Sequence, residues 1–150
     1  MNHSKDIRLI ALDLDGTLTN DEKVITPRTY DALMAAQRRG IKVCLASGRP
    51  PYGMQPLAEQ LRLSEYGGIV IAYNGGYVYD CQTGEVLREV FLNESMLSRL
   101  YSFQALSGMT LMTYHGDKIY TEHPDDEFVG VSVRNNKMTA VGVENFVRDI

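Results

Sequence analysis

Two acidic residues stand one residue apart in the segment LIALDLDGTLTND, residues 9–21. Asp13 and Asp15 follow an apolar run that is typical of a strand, and the alternation of side chains along a strand directs both carboxylates to the same side. Without a cation between them, each carboxylate would raise the proton affinity of the other. The pair therefore needs either solvent or a positively charged ligand.

Three interpretations account for this pair. The first is a solvent-exposed turn, which the apolar strand before it disfavours because buried like charges need a partner. The second is a calcium loop of the helix-loop-helix type. Counted from Asp13, that pattern fails because Leu18 stands at the glycine position and Val24 at the glutamate position. The third is a carboxylate pair that holds a magnesium ion and acts on a phosphate, with Gly16 allowing the backbone close to the ligand.

A second group of polar residues follows the next apolar run, in LASGRP, residues 45–50. Ser47 and Gly48 begin a strand-to-helix connection, where a hydroxyl and free backbone N–H groups can hold an anion. Ser-Gly after a strand is by itself an ordinary loop. Next to Asp13 and Asp15 in a parallel sheet, it would supply the oxyanion contacts that phosphoryl transfer requires.

The elements that must position these residues alternate along the first half of the chain. Buried strands are predicted at three apolar runs, IRLIAL, IKVCLAS and GIVIAY. Helices are predicted at TPRTYDALMAAQRRG and YGMQPLAEQLRL, the second interrupted or delayed by Pro56. This order implies an α/β fold in which right-handed crossovers build a parallel sheet with helices on both faces. Ligands of such sheets bind beyond the carboxyl ends of the strands.

The second half of the chain departs from this pattern. Asn74 and two glycines stand between strand-like runs in YNGG and predict a hairpin, for which Asn74 needs no function beyond the turn. GEVLREVFL is a further candidate strand. ESMLSRLYSFQAL is typical of an amphipathic helix, and TLMTYHGDKIYTE of two short strands joined at HGD. Beyond these, only a short helix from Val143 is predicted.

Composition and charge narrow the function classes. The chain has 150 residues, of which 44% are hydrophobic and 23% charged, with a net charge of -4. An acidic chain without a clustered basic face is not expected to bind nucleic acid. No apolar stretch approaches the about 20 residues that span a bilayer, the N-terminal MNHSKDIR lacks the apolar run of a secretion signal, and two cysteines make no disulfide framework. We therefore expect a cytoplasmic protein that binds neither nucleic acid nor membrane.

Three motifs at the strand ends carry a resemblance to a known family. DLDGTLT after the first strand, ASGRP after the second and YNGG after the third resemble the haloacid dehalogenase superfamily of phosphohydrolases, and within it the Cof-type sugar-phosphatase-like branch. The resemblance is strong over residues 7–80 and loose thereafter. It implies a Rossmannoid parallel sheet of the haloacid dehalogenase type, partial here, with an inserted α/β cap domain that is also partial. The core is expected over residues 1–82, and the hairpin and partial cap over residues 83–150.

The resemblance implies a magnesium-dependent phosphatase of small phosphorylated metabolites, in particular sugar phosphates. Asp13 would be the nucleophile that forms an aspartyl-phosphate, and Asp15, held less tightly, would carry the proton as general acid and then general base. Mg²⁺ would be bound by the Asp13 carboxylate and the Asp15 backbone carbonyl. The phosphate would be bound by residues at the three strand ends: Gly16, Thr17, Ser47, Gly48, Arg49 and Asn74. For Arg49 the alternative is a side chain that only covers the second helix.

The sequence also departs from the family. A lysine after the cap and a later acidic Gly-Asp motif with further magnesium ligands are not identifiable, because Lys118 and Lys137 fall in the predicted cap. The chain is therefore expected to stop inside the cap, to leave the first strand bare along one edge, and to self-associate or be completed by another segment. Two alternatives stay open: a catalytically incomplete phosphate-binding or interaction module, and a phosphoryl transferase of the phosphomutase type.

Overall fold

The computed structural model describes residues 6–150, which form two compact units. One unit ends at Val90 and the other begins at Phe91. The boundary predicted from sequence lay earlier, between residues 82 and 83. The two differ because the strand Val86–Glu89 pairs with the strand before it and so belongs to the first unit. Residues 1–5, part of the segment noted above as lacking a secretion signal, lie outside the described residues.

The first unit is a five-stranded mixed sheet with helices in its crossovers. Its strands follow the order β1-β2-β3-β4-β5, in which β1, β2 and β3 are parallel and β4 and β5 antiparallel. This confirms the predicted α/β architecture and the predicted hairpin. The elements are β1 (Leu9–Asp13), α1 (Pro27–Arg38), β2 (Lys42–Ala46), α2 (Pro51–Gln60), α3 (Leu63–Tyr66), β3 (Ile69–Ala72), β4 (Tyr77–Asp80) and β5 (Val86–Glu89).

The register of the parallel strands brings their carboxyl ends to one edge of the sheet. Asp13 is paired with Ala46, and Ala46 with Ile71. Apolar side chains from the strands, the helices and the loop after β1 form the core beneath this edge; the fully buried ones are Leu14, Val43, Leu45, Met54, Leu61, Leu63, Val70 and Ala72. The loops that follow β1, β2 and β3 are therefore anchored close together.

β1 is less buried than its apolar sequence predicts. Its residues alternate between exposed and half-buried, and Leu9 is 45% exposed. In the described part of the chain, β1 is the end strand of its sheet and pairs only with β2. The prediction of a strand buried on both faces was wrong, because the sequence of a strand does not show which neighbours cover it. The expected bare edge agrees with this topology.

The two longer helices of this unit, α1 and α2, test the sequence signals that were used to predict where helices begin and end. α1 begins as predicted: Thr26 Oγ1 accepts a hydrogen bond from Thr29 N at 3.3 Å, and Pro27 is the first helical residue. α2 begins at Pro51 and continues through Pro56, so the predicted interruption was wrong. A proline inside a helix costs about 3 kcal/mol. Burial of three apolar side chains of α2 offsets this cost; they are Met54, Leu57 and Ala58.

The second unit contains a three-stranded sheet with the order β6-β7-β8, antiparallel between β6 and β7 and parallel between β7 and β8. Its small core consists of Ile119, Val129 and Met138, with half-buried apolar neighbours. The elements are α4 (Glu94–Ser107), β6 (Thr113–His115), β7 (Lys118–Thr121), α5 (Glu127–Asn136), β8 (Thr139–Gly142) and α6 (Phe146–Asp149). The predictions of α4, β6 and β7 are confirmed, whereas α5 and β8 were not predicted and the last helix begins at Phe146 instead of Val143.

Two further predictions concern the thiols and the membrane. Cys44 is buried, Cys81 is half-buried, and both are free thiols. The longest helix of the described residues is α4, and none of the described helices combines the length and the apolar character that crossing a bilayer requires.

Candidate active site

The loop after β1 is closed by its own backbone. Leu18 N donates to Asp13 O at 3.1 Å, and both the N–H and the Oγ1 hydroxyl of Thr19 donate to Leu14 O at 2.9 Å. Gly16 has a φ of +81°, in the left-handed region that glycine adopts readily. Leu14 and Leu18 are buried beneath the loop. The leucines and hydrogen bonds thus fix the backbone and leave the acidic side chains at the surface.

Asp15 is held by two cations. Arg49 Nε donates to Asp15 Oδ2 at 3.0 Å, and Arg49 Nη2 donates to Oδ1 at 2.6 Å. Lys23 Nζ also donates to Oδ1, at 2.8 Å. The Arg49 side chain is 11% exposed, against 40% for Asp15 and 45% for Lys23. Arg49 is therefore the buried partner, and its planar fork fixes the orientation of the Asp15 carboxylate.

These contacts lower the pKa of Asp15. Hydrogen bonding from Arg49 has the largest effect, partial burial acts in the opposite direction, and Lys23 lowers the pKa further. The carboxylate of Asp15 is therefore ionised at neutral pH. The prediction that Asp15 is the less tightly held acid of the pair concerned the magnesium-bound site and did not include these two cations.

Asp13 has a different environment. It is exposed at the end of β1, and its carboxylate has no hydrogen-bond or ion-pair partner among residues 6–150. Nor does any backbone N–H of those residues donate to the carbonyl of Asp15. An ionised carboxylate and a carbonyl oxygen are the ligands that magnesium prefers in proteins.

These two groups fit part of a magnesium site. Among the described residues there is no cluster of three or more His, Cys, Asp or Glu side chains that could hold a metal. Magnesium commonly takes one or two carboxylates and completes its octahedron with water and substrate phosphate. The Asp13 carboxylate and the Asp15 carbonyl match the protein's share of such a site.

The loop after β2 is tied to the end of β3 and to the turn beyond it. Ser47 N donates to Ile71 O at 2.9 Å, Asn74 N donates to Ser47 O at 3.0 Å, and Tyr73 N donates to Arg49 O at 3.1 Å. Within the loop, Arg49 N donates to Ser47 Oγ at 3.2 Å. These bonds place the Ser47 hydroxyl beside the residue that holds Asp15.

Gly48 packs against the side chain of Asn74. A Cβ at position 48 would lie 3.1 Å from Asn74 Oδ1 and 3.3 Å from Nδ2, so a larger residue would displace the amide. Asn74 has φ 53° and ψ 34°, a left-handed conformation that asparagine tolerates better than most residues. The hairpin that Asn74 helps to form therefore also brings its amide to the loop after β2.

The backbone donors predicted to bind phosphate are not equally available. Gly16 N donates to Thr19 O at 3.2 Å, and Thr17 N donates to Leu14 O at 3.4 Å, so both are used within the loop after β1. The N–H of Gly48 has no acceptor among residues 6–150. Gly48 thus presents a free backbone donor, whereas the other two must give up a loop hydrogen bond.

Lys23 was not a candidate in the sequence analysis. It lies in a turn closed by Lys23 N donating to Asn20 O at 3.0 Å and Val24 N donating to Asn20 Oδ1 at 3.0 Å. Its own backbone is left-handed, with φ 61°. The sequence carries a turn signal here in Asn20 and Asp21, but a single lysine after it looks like an ordinary solvated charge.

Comparison with known proteins identifies the family. Residues 10–147 match the family model described as haloacid dehalogenase-like hydrolase. YxeH of Bacillus subtilis (strain 168), a phosphatase by name, is 39% identical over 118 residues, which cover 79% of this chain and 44% of YxeH. The 5-amino-6-(5-phospho-D-ribitylamino)uracil phosphatase YcsE of the same organism is 38% identical over 85 residues, which cover 57% of this chain and 33% of YcsE.

The structural comparison agrees. The crystal structure of a haloacid dehalogenase-like hydrolase from Bacteroides thetaiotaomicron matches with a TM-score of 0.88 and 40% identity, over 96% of this chain and 54% of that chain. The chain thus spans about half the length of the relatives it matches. The resemblance inferred from the three strand-end motifs is confirmed, and the chain belongs to the haloacid dehalogenase-like hydrolase family.

Proposed function

We propose that the protein is a magnesium-dependent phosphohydrolase of small phosphorylated metabolites. The observation that carries this proposal is the ion pair between Asp15 and Arg49, which joins the loop after β1 to the loop after β2. Asp13, two residues before Asp15, has an exposed carboxylate, and Gly48, next to Arg49, has an N–H without an acceptor among residues 6–150. A carboxylate and an N–H are the groups needed to attack and to bind a phosphoryl group. The substrate named for the relative YcsE is a small phosphorylated molecule, which supports the substrate class.

Asp13 is the proposed nucleophile. One of its carboxylate oxygens bonds to phosphorus, the bond from phosphorus to the substrate oxygen breaks, and an aspartyl-phosphate and an alcohol are formed. Asp15 gives its proton to the departing oxygen and then takes a proton from the water that attacks the aspartyl-phosphate. Inorganic phosphate leaves and the Asp13 carboxylate is restored, so one water is consumed for each ester cleaved.

The proposed acid role of Asp15 requires a change in its surroundings. In the free site Arg49 and Lys23 favour the ionised carboxylate. A bound phosphate dianion adds negative charge beside Asp15 and raises its proton affinity, which opposes the effect of the two cations. Proton uptake by Asp15 is therefore coupled to substrate binding in this proposal.

Magnesium, when bound, would neutralise charge on the phosphoryl oxygens. The proposed ligands from this chain are the Asp13 carboxylate and the Asp15 carbonyl. The Ser47 hydroxyl and the Gly48 N–H are the proposed phosphate donors that need no rearrangement. The further proposed phosphate contacts are Gly16, Thr17, Arg49 and Asn74.

The narrower proposal, that the substrates are sugar phosphates, is supported by the resemblance of the three strand-end motifs to the Cof-type branch. A panel of sugar phosphates, nucleotides and pyridoxal phosphate, assayed for released phosphate at equal concentration, tests this point. Preferential hydrolysis of the sugar phosphates is the expected result. Equal or lower rates than for the other esters would contradict the narrower proposal alone.

Hydrolysis of p-nitrophenyl phosphate tests the function itself. The protein should release nitrophenolate in the presence of Mg²⁺ and stop when the metal is chelated. Asp13→Asn should lower the rate by more than about 10³-fold, because the nucleophile is lost. Asp21→Asn, a matched carboxylate-to-amide change at an exposed position of the same segment, should leave the rate unchanged. Full activity of Asp13→Asn would rule out the nucleophile, and phosphate binding without hydrolysis would support the phosphate-binding alternative.

A further inference from the structure

Lys23 reaches the proposed active site from a turn of its own. The turn spans residues 20–24 and is closed by three hydrogen bonds: Asn20 N donates to Val24 O at 3.1 Å, Lys23 N donates to Asn20 O at 3.0 Å, and Val24 N donates to Asn20 Oδ1 at 3.0 Å. This closure fixes the Lys23 backbone eight residues after Asp15, while the side chain crosses to Asp15 Oδ1 at 2.8 Å. The lysine is thus directed to the site by a built turn and does not lie there as a random surface charge.

The two cations on Asp15 are not equivalent. Arg49 is 11% exposed and covers both carboxylate oxygens, whereas Lys23 is 45% exposed and shares Oδ1 with the shorter bond from Arg49. If Lys23 leaves, each oxygen of Asp15 keeps a donor from Arg49. Exposed ion pairs of this kind are weak, so the contact between Lys23 and Asp15 is readily exchanged.

A phosphoryl group is a stronger partner for the ammonium than this shared carboxylate oxygen. It carries more negative charge, and it offers several unshared acceptor oxygens. The proposed phosphate site also needs positive charge, since Asp13 and Asp15 both repel an incoming dianion. Arg49 can contact the phosphate as proposed above while it stays on Asp15, but it adds little net positive charge because its side-on pair with Asp15 balances its own charge. Lys23 is the exposed cation of the described site that can turn towards the substrate.

We propose that Lys23 leaves Asp15 and binds a phosphoryl oxygen of the substrate, while Arg49 remains on Asp15. This inference rests on the proposed function and adds a substrate-binding residue to it. The substrate class recognised is a phosphate monoester dianion, with inorganic phosphate as its simplest representative.

The test compares three variants in binding of inorganic phosphate by titration calorimetry with Mg²⁺ present. Lys23→Ala should weaken binding about tenfold, because one charge-assisted contact is lost. Lys23→Arg keeps the charge and should bind within about threefold of wild type. Lys42→Ala is the matched control: it removes the same charge at the start of β2, where its ammonium lies near Gly67. This control should bind phosphate like wild type.

Steady-state kinetics with p-nitrophenyl phosphate separates binding from an effect on Asp15. Lys23→Ala should raise KM about tenfold and change kcat less than about threefold. A lower kcat with an unchanged KM would mean that Lys23 acts through Asp15, and would overturn the inference.

Two results distinguish this inference from the proposed function. If wild type binds and hydrolyses phosphate esters but Lys23→Ala binds phosphate as well as Lys42→Ala, the role of Lys23 is refuted and the function stands. If wild type neither binds phosphate nor hydrolyses the ester, both the function and the role of Lys23 are refuted.

Discussion

Breaking the ion pair between Asp15 and Arg49 should lower the free energy of unfolding of the first unit, and the exposure of the two side chains sets the limits of this effect. Exposed ion pairs couple by about 0.2–1 kcal/mol, and removing one partner of a buried pair costs about 3–5 kcal/mol. This pair lies between these limits, because the arginine is 11% exposed and the aspartate 40%. The bidentate contact at 2.6 and 3.0 Å favours the stronger side. We expect a coupling free energy of about 1–2 kcal/mol from a double-mutant cycle of Asp15→Asn and Arg49→Met.

The two single variants should not be equally destabilising. Asp15→Asn removes the negative charge from beside a guanidinium that is only 11% exposed, whereas Arg49→Met leaves a carboxylate that is 40% exposed and that water can solvate. Asp15→Asn should therefore cost more. Amide hydrogen exchange of Val43 and Leu45 in β2, both fully buried, reports the free energy of unfolding of this unit. A coupling below about 0.3 kcal/mol, or equal costs of the two variants, would refute the contact geometry.

Two further predictions follow from packing and from a thiol. Gly68→Ala should lower the free energy of unfolding by about 1–3 kcal/mol in urea titrations, because its Cβ would lie 2.8 Å from Leu63 Cβ and 2.9 Å from Val43 O; an unchanged midpoint would contradict this packing. Burial raises the pKa of Cys81 from 9.0 to about 11, so its reaction with a disulfide reagent at pH 8 should be about 100-fold slower than in the unfolded chain. Because the thiol of the unfolded chain loses its proton first, the free energy of unfolding should fall as pH rises from 9.0 to about 11, and it should fall less in Cys81→Ala. Equal falls of the free energy of unfolding in wild type and Cys81→Ala over this pH range would exclude a raised pKa of Cys81.

The parts of the fold predicted from sequence are those with strong local signals. α1 has a cap at Thr26, proline at its first position and apolar residues at helical spacing. By contrast α5 contains EFVGVSV, where valines at every second position are typical of a strand. Its helix is stabilised by the Asp126 cap, which accepts from Phe128 N at 2.8 Å, and by burial of Val129. The second of these is a tertiary contact and cannot be inferred from the segment alone.

The candidate site likewise contains residues that the sequence predicted and contacts that it did not predict. Asp13, Asp15, Ser47 and Gly48 were candidates because each follows a strand with a suitable chemical group. The pairing of Asp15 with Arg49 joins residues 34 positions apart, and only the parallel register of β1 and β2 brings them together. The contact from Lys23 depends on the turn before α1. These two contacts were not predicted because they are set by side-chain reach in the folded chain.

Arg49 lies in the loop after β2 and has hydrogen-bond partners in that loop, in the loop after β1 and in the turn after β3. Its side chain holds Asp15, its backbone N–H donates to Ser47 Oγ, and its carbonyl accepts from Tyr73 N. A substitution at position 49 therefore removes the side-chain contact with the loop after β1, whereas any residue other than proline keeps the two backbone contacts. We expect the loops to diverge among descendants of this chain more easily than position 49 itself. New substrate preferences would then arise by changes around a retained arginine.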